Sequence, residues 1–255
     1  PELTPQELAL KAAGQEKIES WEEAFATYER LAEQETDHQK EMEWRKRLFI
    51  LASERLRDDE AAELHGLKLL EERPEDTELA RSLAQIYERQ GDVEMMRRML
   101  ERQLKALEES ADSQQQQRDL LVRLAHSWKT EPKGGAQRAD TLCRRVLERD
   151  PEDLEVLELL YEVQLSANAF ERGADTLEAL IQYVERDHLD VDEGKVERWH
   201  LELAKIYEKL GQGSAVRSHV KEALDTATGE TLMTALDLWL RQASQDEQWK
   251  EVVEA

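Results

Sequence analysis

The amino-acid sequence predicts an all-α fold, an α-solenoid of antiparallel helix hairpins. Three observations carry this expectation. A leucine-plus-packing-residue pattern recurs: Leu83-Ala84 with Tyr87 ahead of Gly91-Asp92, Leu124-Ala125 with Trp128, Leu160-Tyr161 ahead of Asn168, and Leu203-Ala204 with Tyr207 ahead of Gly211. Recurrence of this kind marks an array in which each unit buries its apolar face only against its neighbours. Runs of β-branched residues with period two, the signature of strands, are essentially missing. Most of the five prolines and ten glycines fall where a hairpin must turn.

Taken in order, the chain divides into approximate units 1–36, 37–74, 75–117, 118–151, 152–194, 195–229 and 230–255, six full hairpins and a truncated seventh. Trp21, Ala24 and Tyr28 mark the second helix of the first unit, and Trp44, Leu48, Leu51 and Ala52 the first helix of the next. Pro74 and Pro151 each open a Pro-Glu-Asp triplet suited to a helix start, where proline is tolerated and carboxylates face the positive end of the helix dipole. The helix containing Met96, Leu100 and Leu104 is expected to run on through Glu108-Glu109 and the Gln114–Gln117 tract. Pro132-Lys133-Gly134-Gly135 turns the fourth unit toward Ala139, Cys143 and Val146. The fifth carries extra length between Glu185 and Gly194, and Gly211-Gln212-Gly213 turns the sixth toward Val216, Val220 and Ala223. Trp239, Leu240, Trp249 and Val252 belong to the seventh.

The residue after the recurring leucine sets the period. Ala84, Ala125, Tyr161, Ala204 and Leu240 are spaced by 41, 36, 43 and 36 residues. Pro74 to Pro151 and Gly91 to Asn168 are both separated by 77, so a two-hairpin super-repeat overlies the single one. The chain starts at Pro1 and stops within the seventh unit, which reads as a segment excised from something longer.

These residues resemble the tetratricopeptide repeat family, whose hairpins carry a Trp-x2-Leu-Gly-x2-Tyr first helix and an Ala-x3-Phe second helix. Leu83-Ala84-x2-Tyr87 with Gly91-Asp92 and Met96-x3-Leu100 carries the resemblance best, followed by Leu203-Ala204-x2-Tyr207 with Gly211 and Val216-x3-Val220. Ala139-x3-Cys143 and Ala24-x3-Tyr28 supply two more second helices. The period exceeds the family's roughly 34 residues, and Ala or Tyr replaces the first-helix glycine, so hairpins of HEAT-like length are the alternative. The resemblance implies a right-handed superhelix. It also implies a concave groove, lined by first helices, that takes a partner peptide or helix.

Composition narrows the function. With 58 acidic against 35 basic residues the formal charge is -23, which opposes binding to nucleic acid and to anionic membrane surfaces. No apolar run approaches the length of a membrane span. The single cysteine, Cys143, excludes an intramolecular disulfide framework and fits a reducing, cytoplasmic compartment. It occupies a packing slot, so burial is expected in place of reactivity. Tyr87, Trp128, Tyr207 and Trp239 are expected to pack in the core.

The six histidines form no metal-ligand spacing; His188 beside Asp187 and Asp190 is the nearest approach, and chance acidity accounts for it. Gly211-Gln212-Gly213 lacks the residues that follow in a phosphate loop. Neither a catalytic signature nor a cofactor motif emerges.

Aligned on the leucine slots, the groove-facing residues are Arg81, Gln85 and Arg89, then Val122, His126 and Lys129, then Glu158 and Glu162, then Arg198, Leu201, Lys205 and Lys209, and lastly Arg241. Basic stretches flank an acidic patch here, although the whole chain is acidic, and such banding selects partners through steering and register. The scarcity of asparagine, with Asn168 alone, argues against the carboxylate-clamp arrangement of chaperone-binding members. The expected function is a non-catalytic scaffold or adaptor that binds another protein. The alternatives are a regulatory appendage of a larger enzyme and an array that self-associates through its truncated last hairpin.

Overall fold

A computed structural model describes residues 3–107, 113–189, 191–192, 194–226 and 228–245. Among them lie thirteen α-helices and no strand: α1 (Pro5–Lys17), α2 (Trp21–Gln34), α3 (His38–Ile50), α4 (Asp59–Glu72), α5 (Thr77–Gln90), α6 (Val93–Leu107), α7 (Gln114–Lys129), α8 (Gly135–Leu147), α9 (Leu154–Ser166), α10 (Phe170–Asp187), α11 (Lys195–Lys209), α12 (Gly213–Thr226) and α13 (Gly229–Gln245). The expected all-α solenoid class is what the chain adopts. It forms two compact units, Pro1–Leu120 and Leu121–Ala255, with the boundary inside α7.

In the first unit, α1 to α6 pack each on the next in chain order. Leu8, Ala12, Ala24, Leu31 and Leu48 close one core between α1, α2 and α3. After Ile50 the winding of α3 widens into a π-helical segment, Leu51–Leu56, which ends at Arg57 with positive φ (57°) and the bond Asp58 N–H to Ala52 C=O. Gly66 of α4 packs where a Cβ would lie 2.8 Å from Leu83 and 2.9 Å from Phe49, so only glycine allows this approach of α3, α4 and α5.

In the second unit, α8 to α13 again pack in chain order, and α11 also touches α13. Contact between every other helix, added to contact between neighbours, is how stacked hairpins share a core. Leu177, Leu180 and Leu203 are fully buried in one cluster, and Leu201, Ala204, Val216 and Val220 form the next. The expected small packing residues Ala84, Ala125, Ala139 and Ala204 are all fully buried, as is Leu83.

One turn design repeats. Glu19, Gly91, Asn168 and Gly211 all have positive φ, at 60°, 75°, 56° and 71°. After each, the next N–H returns to a carbonyl near the end of the helix: Ser20 to Gln15, Asp92 to Tyr87, Ala169 to Gln164 and Gln212 to Tyr207. This closure satisfies carbonyls that a helix end leaves open. It also brings the residue four before the turn opposite the residue eight after it. Thr27 donates to Gln15 at 2.8 Å, Thr176 donates to Gln164 at 2.8 Å, and the ring of Tyr207 stacks on His219 with centroids 5.6 Å apart.

Two sequence expectations need adjustment. Pro74 and Pro151 lie outside their helices, and the third residue of each triplet is the N-cap: Asp76 accepts from Leu79 N–H at 3.0 Å, and Asp153 from Val156 N–H at 3.2 Å. A carboxylate one residue before the helix satisfies an open N–H, a stronger reason for the triplet than proline in the first turn. The Gln114–Gln117 tract opens α7, and the buried Gln117 amide donates to the Leu107 carbonyl at 2.7 Å. Glu108-Glu109 and residues 246–255, with Trp249 and Val252, lie outside the described residues, as does Asp190 beside His188.

Candidate partner-binding surface

The odd-numbered helices hold the charged residues that the sequence places on one face. In the first unit, Arg81, Gln85 and Arg89 project from α5 and are exposed. Arg81 bonds Glu78 one turn earlier at 3.1 Å. Arg89 reaches back to α4, where its guanidinium bonds both oxygens of Asp59 and holds that carboxyl below the usual carboxylate range.

In the second unit, successive odd-numbered helices are joined by ion pairs. Lys129 of α7 binds Glu162 of α9, Glu158 of α9 binds Lys195 of α11 at 2.8 Å, and Glu208 of α11 binds Arg241 of α13 at 3.4 Å. The expected acidic patch at Glu158 and Glu162 is therefore neutralised from both sides by the chain itself. His126 and Arg198 are exposed. Val122 and Leu201 are not on the surface: they are 7% and 3% exposed, and Leu201 belongs to the core between α11 and α12. A helix turns about 100° per residue, so a stripe drawn by alignment on neighbouring repeats reaches the core at its edge.

Lys205, Lys209 and Arg241 come together around one cleft of about 370 Å³. Its apolar lining is Leu165, Phe170 and Ile206, and its polar lining adds Glu202 and Glu208. The ammonium of Lys209 stands over the Phe170 ring, 4.7 Å from the centroid. Lys205 bonds Glu202 at 2.7 Å, and Arg241 also bonds Asp237 at 3.1 Å. Phe170 was not singled out in the sequence, although its place just beyond the Asn168 turn corresponds to Val93 beyond Gly91.

A half-buried polar cluster links α10, α11 and α12. His200 and His219 meet Nδ1 to Nδ1 at 3.0 Å, so one ring donates and the other accepts. Their Nε2 atoms face carboxylates of α10, His200 toward Glu185 at 3.7 Å and His219 toward Glu178 at 3.8 Å. The Tyr207 hydroxyl donates to Glu178, and burial with that bond raises its pKa. Tyr87 makes the equivalent bond to Glu63 of α4 at 3.1 Å, so these tyrosines anchor α5 and α11 to the preceding helix as well as filling core.

Cys143 is buried, and burial pushes its thiol up to about 12. Among the described residues no group of three or more His, Cys, Asp or Glu is arranged to hold a metal, and no helix is long and apolar enough to cross a membrane.

No family model matches the sequence, and no curated protein matches it either. Solved structures do resemble the fold. MamA shares 15% identity at a TM-score of 0.51, over 72% of this chain and 91% of that one. YrrB, reported as a TPR protein with an unusual peptide-binding site, shares 14% identity at a TM-score of 0.51, over 78% of this chain and 92% of that one. At such identities the likeness concerns the fold, which is tetratricopeptide-like.

Proposed function

We propose that this chain, with its tetratricopeptide-like fold, is a non-catalytic protein-interaction module whose second unit receives an acidic segment of a partner protein. The observation behind this reading is the grouping of Lys205, Lys209 and Arg241 around Phe170 in one cleft, on a chain of formal charge -23. Cations grouped at one place on an acidic protein steer a complementary segment there and disfavour the rest of the surface. Leu165, Phe170 and Ile206 supply apolar area for an inserted side chain. The ion pairs of Lys205 and Arg241 are partly exposed, and such pairs contribute only about 0–1 kcal/mol, so exchange for partner carboxylates costs little. The peptide-binding site reported for YrrB supports a peptide-sized occupant. In this reading Arg81, Gln85, Arg89, His126, Lys129, Glu158, Glu162 and Arg198 form the polar surround of the odd-helix faces, each within its own unit.

Co-purification with the full-length protein tests the reading. The double variant Lys209→Glu, Arg241→Glu is expected to lose a protein that the wild type captures. Equal capture by the variant would overturn the assignment of this cleft.

A second reading is favoured by α13, where Met233 and Leu240 are 66% and 44% exposed. Apolar side chains of this size on one helix suit contact with another copy. Light scattering checks it: mass must rise with concentration, and the rise must vanish in Met233→Glu, Leu240→Glu.

A further inference from the structure

The turns at Glu19 and Asn168 are built alike, and the polar side chains around them correspond in position. Gln15 and Gln164 stand four residues before the turn, Thr27 and Thr176 eight after it, and each threonine hydroxyl donates to its glutamine Oε1 at 2.8 Å. The other end of the amide differs. In the first hairpin Gln15 Nε2 donates to the carboxylate of Glu23, four residues after the turn, at 3.3 Å. The residue at that place after Asn168 is Arg172, whose guanidinium can only donate. Gln164 is 1% exposed, and its Nε2 is buried without a hydrogen-bond partner. Buried donors are almost always paired, so this one marks a place where an acceptor belongs.

A pocket of about 220 Å³ opens there, between α8, α9 and α10. Gln164 and Arg172 line it together with Ala136, Gln137 and Asp140 of α8. Ala136 and Gln137 belong to the first turn of α8, where the N-cap Gly134 makes no side-chain bond and no acidic residue is present. The open N–H groups and positive dipole end of such a turn favour an anion beside it. Asp140 is the one carboxylate of the described lining; Arg144 donates to it at 2.6 Å and Arg172 at 3.3 Å. Two guanidiniums against one carboxylate leave this trio with a positive charge.

We infer that the pocket is a carboxylate-binding site, in which one carboxylate accepts from Gln164 Nε2 and from the Arg172 guanidinium. The ligand then takes the part that Glu23 plays in the first hairpin. A guanidinium fork matches the planar carboxylate. The Arg172 side chain is 56% exposed and can turn from Asp140 toward an entering group, while Arg144 still neutralises Asp140. The formal charge of -23 disfavours a second charge on the ligand, which selects a carboxylate over a phosphate. The pocket shares no lining residue with the cleft of Lys205, Lys209 and Arg241, and it approaches α9 and α10 from the side of α8.

The test reads the donors themselves. The full chain, labelled with 15N, is titrated with sodium acetate at an ionic strength held constant with sodium chloride. The expected result is a saturable shift of the Gln164 side-chain amide and of the Arg172 Nε–H, with the Gln15 amide unmoved. Arg172→Gln removes a charge-assisted hydrogen bond and is expected to weaken acetate binding about tenfold. Arg172→Glu supplies the acceptor from within, so acetate binding is expected to vanish and the Gln164 amide signal to move toward that of Gln15. If that variant fails to fold, Arg172→Gln carries the test. A second arm uses the capped tripeptide acetyl-Gly-Glu-Gly-amide: tighter binding than acetate assigns the carboxylate to a protein side chain, weaker binding to a free small acid, and either bears out the site. An unmoved Gln164 amide, the same shift with chloride alone, undiminished acetate binding in Arg172→Glu, or tighter binding of inorganic phosphate than of acetate would each overturn it. None of these results bears on the cleft of Lys205 and Lys209, so the two assignments fail separately.

Discussion

Lys129 of α7 and Glu162 of α9, 33 residues apart, form an ion pair between successive odd-numbered helices of the second unit. Glu208 and Arg241 repeat the offset of 33, and Glu158 and Lys195 are separated by 37. The larger offset has a visible origin: α10 is 18 residues long and is followed by the extra length before Gly194. These pairs give the charge banding of this face a structural role, register between hairpins, alongside any role toward a partner.

That role predicts a specific pattern of stability. Glu162→Lys places two cations side by side and is expected to destabilise the second unit by under about 1 kcal/mol, because the pair is partly exposed. The swap Lys129→Glu, Glu162→Lys is expected to restore it. Urea titrations at low and high salt measure both, and the difference must shrink as salt is raised. A swap no more stable than the single variant would deny the pair its register role.

The packing slots were legible in the sequence because they repeat: Ala84, Ala125, Ala139 and Ala204 recur at helical positions and are all fully buried. The charged residues themselves could be read one by one, but their pairing could not, since partners 33 and 37 residues apart depend on hairpin stacking that periodicity alone does not specify. Gly66 was passed over because it lies in α4, outside every recurring motif. Phe170 and the pocket around Gln164 were missed for a related reason: each is assembled from several helices, and no segment announces it.

Gly66→Ala tests the close approach of α3, α4 and α5. The added methyl would meet the buried side chains of Leu83 and Phe49 at under 3.0 Å. Alanine favours the helix by about 1 kcal/mol, yet overpacking costs typically 1–3 kcal/mol. A net loss of stability is expected in chemical denaturation, and a net gain would mean that the helices part without cost.

His65 is 4% exposed, and neither ring nitrogen has a hydrogen-bond partner. Burial first, then the charges of Arg45 and Lys68, lowers its pKa from 6.5 to about 4. The unfolded chain therefore binds this proton first, and stability falls as pH drops from about 6.5 toward 4, by an amount on the order of 3 kcal/mol. Above pH 6.5 the contribution is fully present. In His65→Leu the difference between unfolding free energies at pH 7 and pH 4.5 is expected to shrink. An unchanged difference would place the acid sensitivity elsewhere.

Cys143, buried with its thiol pushed up to about 12, has almost no thiolate at neutral pH. Labelling by iodoacetamide is expected to be slow in the folded chain and to accelerate across the urea transition. Prompt labelling without denaturant would contradict its place in the packing of α8.

The pair His200 and His219 makes the hairpin of α11 and α12 sensitive to a second proton. One Nδ1–H donates to the other Nδ1 at 3.0 Å, and a proton added to the donor's Nε2 preserves that bond while facing a carboxylate of α10. A proton on the acceptor sets N–H against N–H and breaks it. Burial first, then the charge of His200, lowers the pKa of His219; Glu178 and Glu222 oppose this and do not reverse it. Because the folded value lies below 6.5, stability from this ring is present above pH 6.5 and is lost as pH falls below it. Imidazole 15N spectra are expected to show one ring of the pair protonated while the hairpin stays folded. The second proton should coincide with loss of the Tyr207 ring-current shift on His219, since those rings stack at 5.6 Å. Both rings titrating independently, with the stack intact throughout, would show that the Nδ1 contact carries no coupling.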